Sequence, residues 1–226
     1  MKSNVYYTLW TDRTQNIGIV NQDGSEGFVF VQGMNQLHTG LEVEAAFQPI
    51  NLFRLDMAAS YGMWQYTDDV SGTYKDYESG GAEEVTYNYY VKDLKVGDAP
   101  QTQLALAGSI FPVQNFEAQL VYKYYDRYYA DWDPFTRTDP SITTDPWQSP
   151  AYGLFEFHAT YDLPVHVSGA KIRLFAHVFN LLDTEYVRDA TDNSRFNSFD
   201  GDHDADDAEV YFGLPRWINI GLNIYY

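Results

Sequence analysis

Cysteine is absent from the chain, so no disulfide holds it and no thiolate can ligate a metal. Cations are scarce. Fourteen Lys and Arg stand against 32 Asp and Glu, a formal net charge of −18. A nucleic-acid backbone needs clustered Lys and Arg, so no nucleic-acid partner is expected. There is no run of about 18 apolar residues, which excludes a transmembrane helix. Strands of a membrane barrel alternate and leave only a weak hydropathy signal. The mean hydropathy of −0.41 therefore decides nothing about the membrane. An n-region and an apolar h-region are also lacking. Met1-Lys2-Ser3 leads straight into Asn4-Val5-Tyr6-Tyr7-Thr8-Leu9-Trp10, which reads as a strand. A piece of a longer chain is expected, or a protein that is not exported. G-x-S-x-G, P-loop and dinucleotide motifs are missing, and no nucleophile stands out. No enzymatic activity and no cofactor are expected.

Aromatic residues are plentiful: 20 Tyr, 14 Phe and 5 Trp, 17% of the chain. Tyr and Trp suit surfaces that are wet at one end and apolar at the other. The clearest pattern is the C-terminal run. Ile218, Ile220, Leu222, Ile224 and Tyr226 share one face, and Trp217, Asn219, Gly221, Asn223 and Tyr225 the other. Roughly 9–11 residues is the length of a tilted strand crossing a bilayer.

Other stretches share this format, at residues 4–12, 36–48, 52–66, 101–111, 116–130, 151–162 and 171–180. Their apolar rows include Leu41, Val43, Ala45 and Phe47, then Leu104, Leu106 and Ile110, then Phe155, Phe157 and Tyr161. The opposite rows carry Glu42, Glu44, Arg54, Asp56, Gln103, Glu117, Lys123, Glu156, His158, Lys171 and Arg173. Connections after the second, fourth and sixth strands are short, and those after the first, third, fifth and seventh are long. An outer-membrane barrel has short turns at one end and long external loops at the other. The expected fold is all-β: an antiparallel transmembrane β-barrel segment of about eight up-and-down strands, forming one unit over residues 1–226. A soluble sandwich or lipocalin-like barrel is the alternative, because alternation alone does not separate them.

Three stretches resemble TonB-dependent outer-membrane receptors. Asn180-Leu181-Leu182-Asp183-Thr184-Glu185-Tyr186 is similar to an N-L-x-D-x-x-Y segment near their C-terminus. Gly213-Leu214-Pro215-Arg216-Trp217, running into a strand with a terminal aromatic, resembles their last strand. Asn35-Gln36-Leu37-His38-Thr39-Gly40-Leu41-Glu42-Val43 resembles their N-x-x-x-x-G-[LIV]-E segment. The resemblance implies a 22-strand barrel with an N-terminal plug and a TonB-contacting box. Neither plug nor box is visible here, so the chain corresponds to the C-terminal third of such a barrel. It also implies a cell outer-membrane location among lipid and lipopolysaccharide, and uptake of a scarce small-molecule ligand such as a siderophore, cobalamin or a glycan. The implied partners are the TonB complex, through the N-terminal part, and the barrel-assembly machinery, which would read the last strand with Tyr226. About eight strands alone leave two edges to pair, or close a barrel too narrow for a passage.

Several clusters invite chemistry. Tyr74, Tyr77, Tyr87, Tyr89 and Tyr90 lie in a polar stretch and are the candidate ligand contacts; packing within the loop is the other reading. Tyr124, Tyr125, Tyr128, Tyr129 and Trp132 are expected to form an interfacial girdle. Asp200-Gly201-Asp202-His203-Asp204-Ala205-Asp206-Asp207 alternates acids but fails the EF-hand pattern, with Ala205 at the sixth position and Tyr211 at the twelfth. A solvated loop is expected there, and weak calcium bridging to lipopolysaccharide phosphates stays open. His38, His158, His166, His177 and His203 show no metal-ligand spacing, and His158 and His177 are expected to face the lumen as ordinary polar residues. The competing function classes are a soluble carbohydrate-binding β-sheet module and a barrel enzyme.

Overall fold

Alternation becomes strand wherever the sequence offers it, and strand also forms where it does not. The computed structural model describes residues 1–20, 26–75, 84–132, 134–167, 169–192 and 202–226. Twelve strands run through them. They are β1 (Lys2–Val20), β2 (Glu26–Ile50), β3 (Phe53–Tyr66), β4 (Val70–Lys75), β5 (Glu84–Tyr89) and β6 (Thr102–Ile110). Then come β7 (Phe116–Asp126), β8 (Tyr152–Val167), β9 (Ala170–Phe179), β10 (Val187–Thr191), β11 (Glu209–Phe212) and β12 (Trp217–Tyr225). A short 3-10 turn, Pro134–Arg137, is the only helical element among the described residues.

The eight long-patterned strands form an antiparallel meander, β1-β2-β3-β6-β7-β8-β9-β12, each pairing with the next. Tight turns join β2 to β3, β6 to β7 and β8 to β9 at one end. In the 111–115 turn, Asn115 takes a φ of 67°, a left-handed conformation its short polar side chain tolerates. The long connections gather at the other end. Period two then sorts the side chains. Glu42 pairs Ser60, Ser60 pairs Gln103, and Gln103 pairs Tyr125 on the polar face. Val43 pairs Ala59, Ala59 pairs Leu104, and Leu104 pairs Tyr124 on the apolar face.

Of the expected barrel segment, the antiparallel sheet of eight up-and-down strands is present, and it is open rather than closed. β1 pairs β2 and β12 pairs β9, and among the described residues no ladder joins β1 to β12. The meander has two ends, and β1 and β12 each keep one side free of a partner strand among the described residues. Its polar face carries Glu42, Glu44, Arg54, Asp56, Lys123, Glu156, Asp162 and Arg173. A sandwich does not form either. The C-terminal apolar row stays open, with Ile218 61%, Ile220 75%, Leu222 56% and Ile224 49% exposed. Leu41, Phe47, Leu55, Tyr61, Ile110, Leu120 and Leu174 extend this exposed face across the sheet.

The buried core sits at the end with the long connections. Val29, Val31, Met34, Tyr66, Val70, Tyr89, Val91, Leu94 and Trp132 form it. It exists because β1 and β2 run on beyond the sheet body as a paired ribbon to Val20 and Glu26, and β4-β5 adds to the far half of β2. The stretch 67–98, expected as loop, thus supplies a hairpin. Trp132 packs edge-on to Tyr66 and tilted on Tyr89, with ring centroids 6.4 and 5.7 Å apart, and its indole N–H donates to the Tyr66 hydroxyl. Tyr128, Tyr129 and Trp132 are therefore interior residues of the connections, which corrects their expected place in an interfacial girdle. Only Tyr124 and Tyr125 remain on the sheet proper, on opposite faces.

Candidate functional site

The polar face of the sheet concentrates the chemistry-bearing side chains. Every charged residue expected to face away from the apolar rows does so, and most find a partner. Arg54 donates to both carboxylate oxygens of Asp56 at 2.8 and 2.7 Å. Arg173 grips Asp162 in the same bidentate manner across β8 and β9. Asn4 donates to Glu42 at 3.1 Å. Lys123 donates to Glu156 at 2.9 Å, and Glu156 in turn faces His158 Nε2 at 3.4 Å. A groove of about 280 Å³ opens beside these groups, lined by Glu42, Glu44, Ser60, Gln103, Lys123 and Tyr125. At its upper margin Tyr125 packs on Tyr152, and Tyr152 on Tyr186, with centroids 5.2 and 4.6 Å apart. This three-ring stack offers a surface suited to a ring-bearing ligand.

Sequence reasoning placed His158 and His177 on this face but missed that they meet. They are register partners on β8 and β9, and their Nδ1 atoms lie 3.0 Å apart. Extrapolating the Val167–Ala170 pairing from the turn would set His158 opposite Phe179. An irregularity between Asp162 and His166 moves the register by two residues and sets it opposite His177. Face was legible in the sequence; partner was not.

The ligand-contact candidates separate. Tyr74 lies on β4 packed against the core, and Tyr89 lies within that core. Tyr87 is exposed on β5, its ring 6.4 Å from that of Tyr89, and Tyr90 is half-buried. Tyr77 lies outside the described residues. Tyr226 is 99% exposed at the end of the apolar row.

The motif stretches are joints. Asn180 and Asp183 both take left-handed φ, 47° and 57°. The Asn180 side chain accepts from Thr184 N at 2.8 Å and donates to the carbonyls of Thr184 and Leu214. Asp183 accepts from Arg216 N at 2.7 Å. The Tyr186 ring covers Gly213, where any Cβ would collide with it. Asn180–Tyr186 and Gly213–Trp217, far apart in sequence, thus lock together the exit of β9 and the entry of β12. Asn35 does similar work, accepting from Asp12 N and donating to Asp68. The chain matches no protein-family model and no curated protein. The joints give those residues structural roles that hold whatever the chain's ancestry.

The connection end is acidic. One carboxylate oxygen each from Asp202, Asp204 and Asp207 lies within 4.8 Å of the others, and Asp204 accepts from Asp206 N. Asp200 and Gly201, at the start of that acidic run, lie outside the described residues. Farther in, Tyr128 donates to Asp189 at 2.8 Å, and burial followed by that bond pushes its phenol up. Burial, then the neighbouring Asp98, pushes the Asp131 carboxyl up to about 7. Because the folded value lies above the ordinary carboxylate value of about 4, the stability Asp131 contributes is full below that pH and is lost as pH rises through 7. Asp131→Asn is expected to flatten this dependence. At pH 8 it should stabilise the connections by about 2 kcal/mol, a figure damped by the partial exposure of Asp131. Amide hydrogen exchange around Trp132, followed from pH 5 to 8, would check it.

Proposed function

We propose that this chain is a wall segment of an outer-membrane β-barrel, the C-terminal part of the barrel of a TonB-dependent receptor. The apolar face meets lipid, the polar face lines the lumen, and the long connections stand outside the cell. One observation carries the reading: an apolar face extends over the eight-strand meander and stays exposed, while the charged rows occupy the other face. In water such a patch is far larger than soluble monomers leave open. In lipid it is the outward band of a barrel. Lipid also requires every backbone group to be paired. The open edges of β1 and β12 are then the seams where the remaining barrel strands dock.

In the parent receptor, a scarce nutrient binds the external connections and the polar face, and plug rearrangement driven from the inner membrane releases it. The charged groove and the Tyr125-Tyr152-Tyr186 stack support a polar, ring-bearing cargo. The C-terminal strand with Tyr226 serves barrel assembly.

Detergent dependence of folding tests the reading. Residues 1–226 would be refolded with and without micelles and followed by β-sheet circular dichroism and heat-modifiable gel mobility. Sheet and a mobility shift only with micelles are expected. A monodisperse sheet protein in plain buffer would overturn the membrane assignment.

A further inference from the structure

We infer that His158 and His177 form a two-imidazole site for a divalent transition-metal ion on the polar face of the sheet. The inference rests on register and ring geometry, so it stands apart from the question of what covers the apolar face.

The donors are already placed. The two Nδ1 atoms are 3.0 Å apart, on adjacent strands, with their rings inclined at 62°. Metal–imidazole bonds of about 2.0–2.1 Å put two cis nitrogens roughly 2.8–3.0 Å apart when they subtend a right angle, and roughly 3.3–3.4 Å apart in a tetrahedron. The observed separation lies within a few tenths of an ångström of both, so a small turn of the rings off their shared hydrogen bond brings both lone pairs to one ion. The general order of divalent affinities places Cu²⁺ first.

The surroundings fix the rings. His177 stacks on Phe175, with centroids 5.2 Å apart and planes at 25°, and His158 meets the edge of Phe179 at 5.5 Å. Packing of this kind holds a ligand in one rotamer before the ion arrives. Behind His158, Glu156 stands 3.4 Å from Nε2 and is itself held by Lys123. A carboxylate near the far nitrogen favours the proton there, which would leave the Nδ1 lone pair for the metal, the arrangement that metal-bound histidines commonly show. Without metal, one Nδ1–H of the pair donates to the other Nδ1. With metal, that proton moves to Nε2 of its own ring and both Nδ1 atoms ligate, so no proton is lost overall. Gln119 faces His158 from β7, and Asn219 faces His177 from β12. The Gln119 amide is taken by Ser109 on the other side of β7, so water completes the coordination. His158 is 21% exposed at its side chain, so the ion has access from the polar face.

The test uses Cu²⁺ alone as probe on the full chain, refolded in whichever of buffer or micelles gives β-sheet circular dichroism, with that dichroism confirming the fold of each variant. One Cu²⁺ is expected to bind at roughly micromolar concentration, with an electron paramagnetic resonance spectrum showing two equatorial imidazole nitrogens. His158→Gln and His177→Gln should each weaken binding at least about tenfold and leave one nitrogen. Glu156→Gln, at a positioning residue, should weaken it about tenfold while keeping two nitrogens. His203→Gln should change nothing. An oxygen-only spectrum, or a two-nitrogen spectrum that survives both histidine variants, would overturn the site.

Discussion

On the proposed membrane reading, Ile220→Lys is expected to cost about 2–4 kcal/mol of folding free energy in lipid vesicles, the penalty for a lysine on the outer face of a membrane barrel near mid-depth. Ile220 is chosen because it lies in mid-strand on β12 and is 75% exposed. Its register partner is Ala176, so no bulky neighbour shields it. An exposed surface substitution in water normally stays within about 0.5 kcal/mol of neutral. The two environments therefore give answers far enough apart to resolve. Ala58→Lys supplies the internal control. Ala58 is exposed on the polar face, opposite Glu44 on β2, where a lysine gains a countercharge. It should be neutral or slightly stabilising in the same vesicles. Urea titration of both variants in lipid gives the difference directly. A neutral Ile220→Lys in vesicles, coupled with improved solubility in buffer, would remove lipid from the account of the apolar face.

Faces were legible in the sequence because every main strand is one-sided. Period two needs only that one face differ from the other, and Glu42 against Val43 or His158 against Phe157 satisfies it over the whole meander. Turn placement followed from the same logic, since Pro49-Ile50-Asn51 and Pro112-Val113-Gln114-Asn115 interrupt the alternation. What stayed hidden is what periodicity does not encode. The β4-β5 hairpin forms from an Asp-, Gly- and Tyr-rich stretch because the extended half of β2 offers an edge to pair with. Trp132 becomes core because Tyr66 and Tyr89, distant in sequence, converge on it. The His158–His177 contact depends on a register irregularity between Asp162 and His166, where Pro164 was a local sign of a broken ladder but not of its size. Openness of the sheet is likewise a property of its two edges, which no single strand records.

Arg137→Met is expected to loosen the long connections while sparing the meander. Arg137 lies in the Pro- and Asp-rich segment, where an arginine reads as solvated, yet its side chain is wholly buried. Nη1 donates to the Thr144 carbonyl at 2.8 Å, and Nη2 lies 3.6 Å from Asp192 Oδ2. His203 Nδ1 approaches the same Asp192 oxygen at 2.5 Å, and Trp147 N donates to the other at 3.3 Å. The Arg137 carbonyl accepts from Tyr90 N at 2.7 Å. One residue thus ties the segment after β5, the β7–β8 connection and the β9–β12 connection together. Removing one partner of a buried ion pair strands the other charge, which costs about 3–5 kcal/mol. Asp192 would lose its guanidinium and keep only His203 and the Trp147 amide. Exchange of the Tyr90, Trp147 and Asp192 amides should then speed up by more than about a hundredfold, while amides of β7 and β8 keep their protection. Adding Asp192→Asn removes the stranded charge, so the double variant should recover much of the loss. Replacing both partners of a buried pair is commonly far milder than removing one. Unchanged exchange in Arg137→Met would mean that the surrounding core holds the connections without this pin. Equal loss in single and double variants would mean that the guanidinium acts through partners other than Asp192, the Thr144 carbonyl among them.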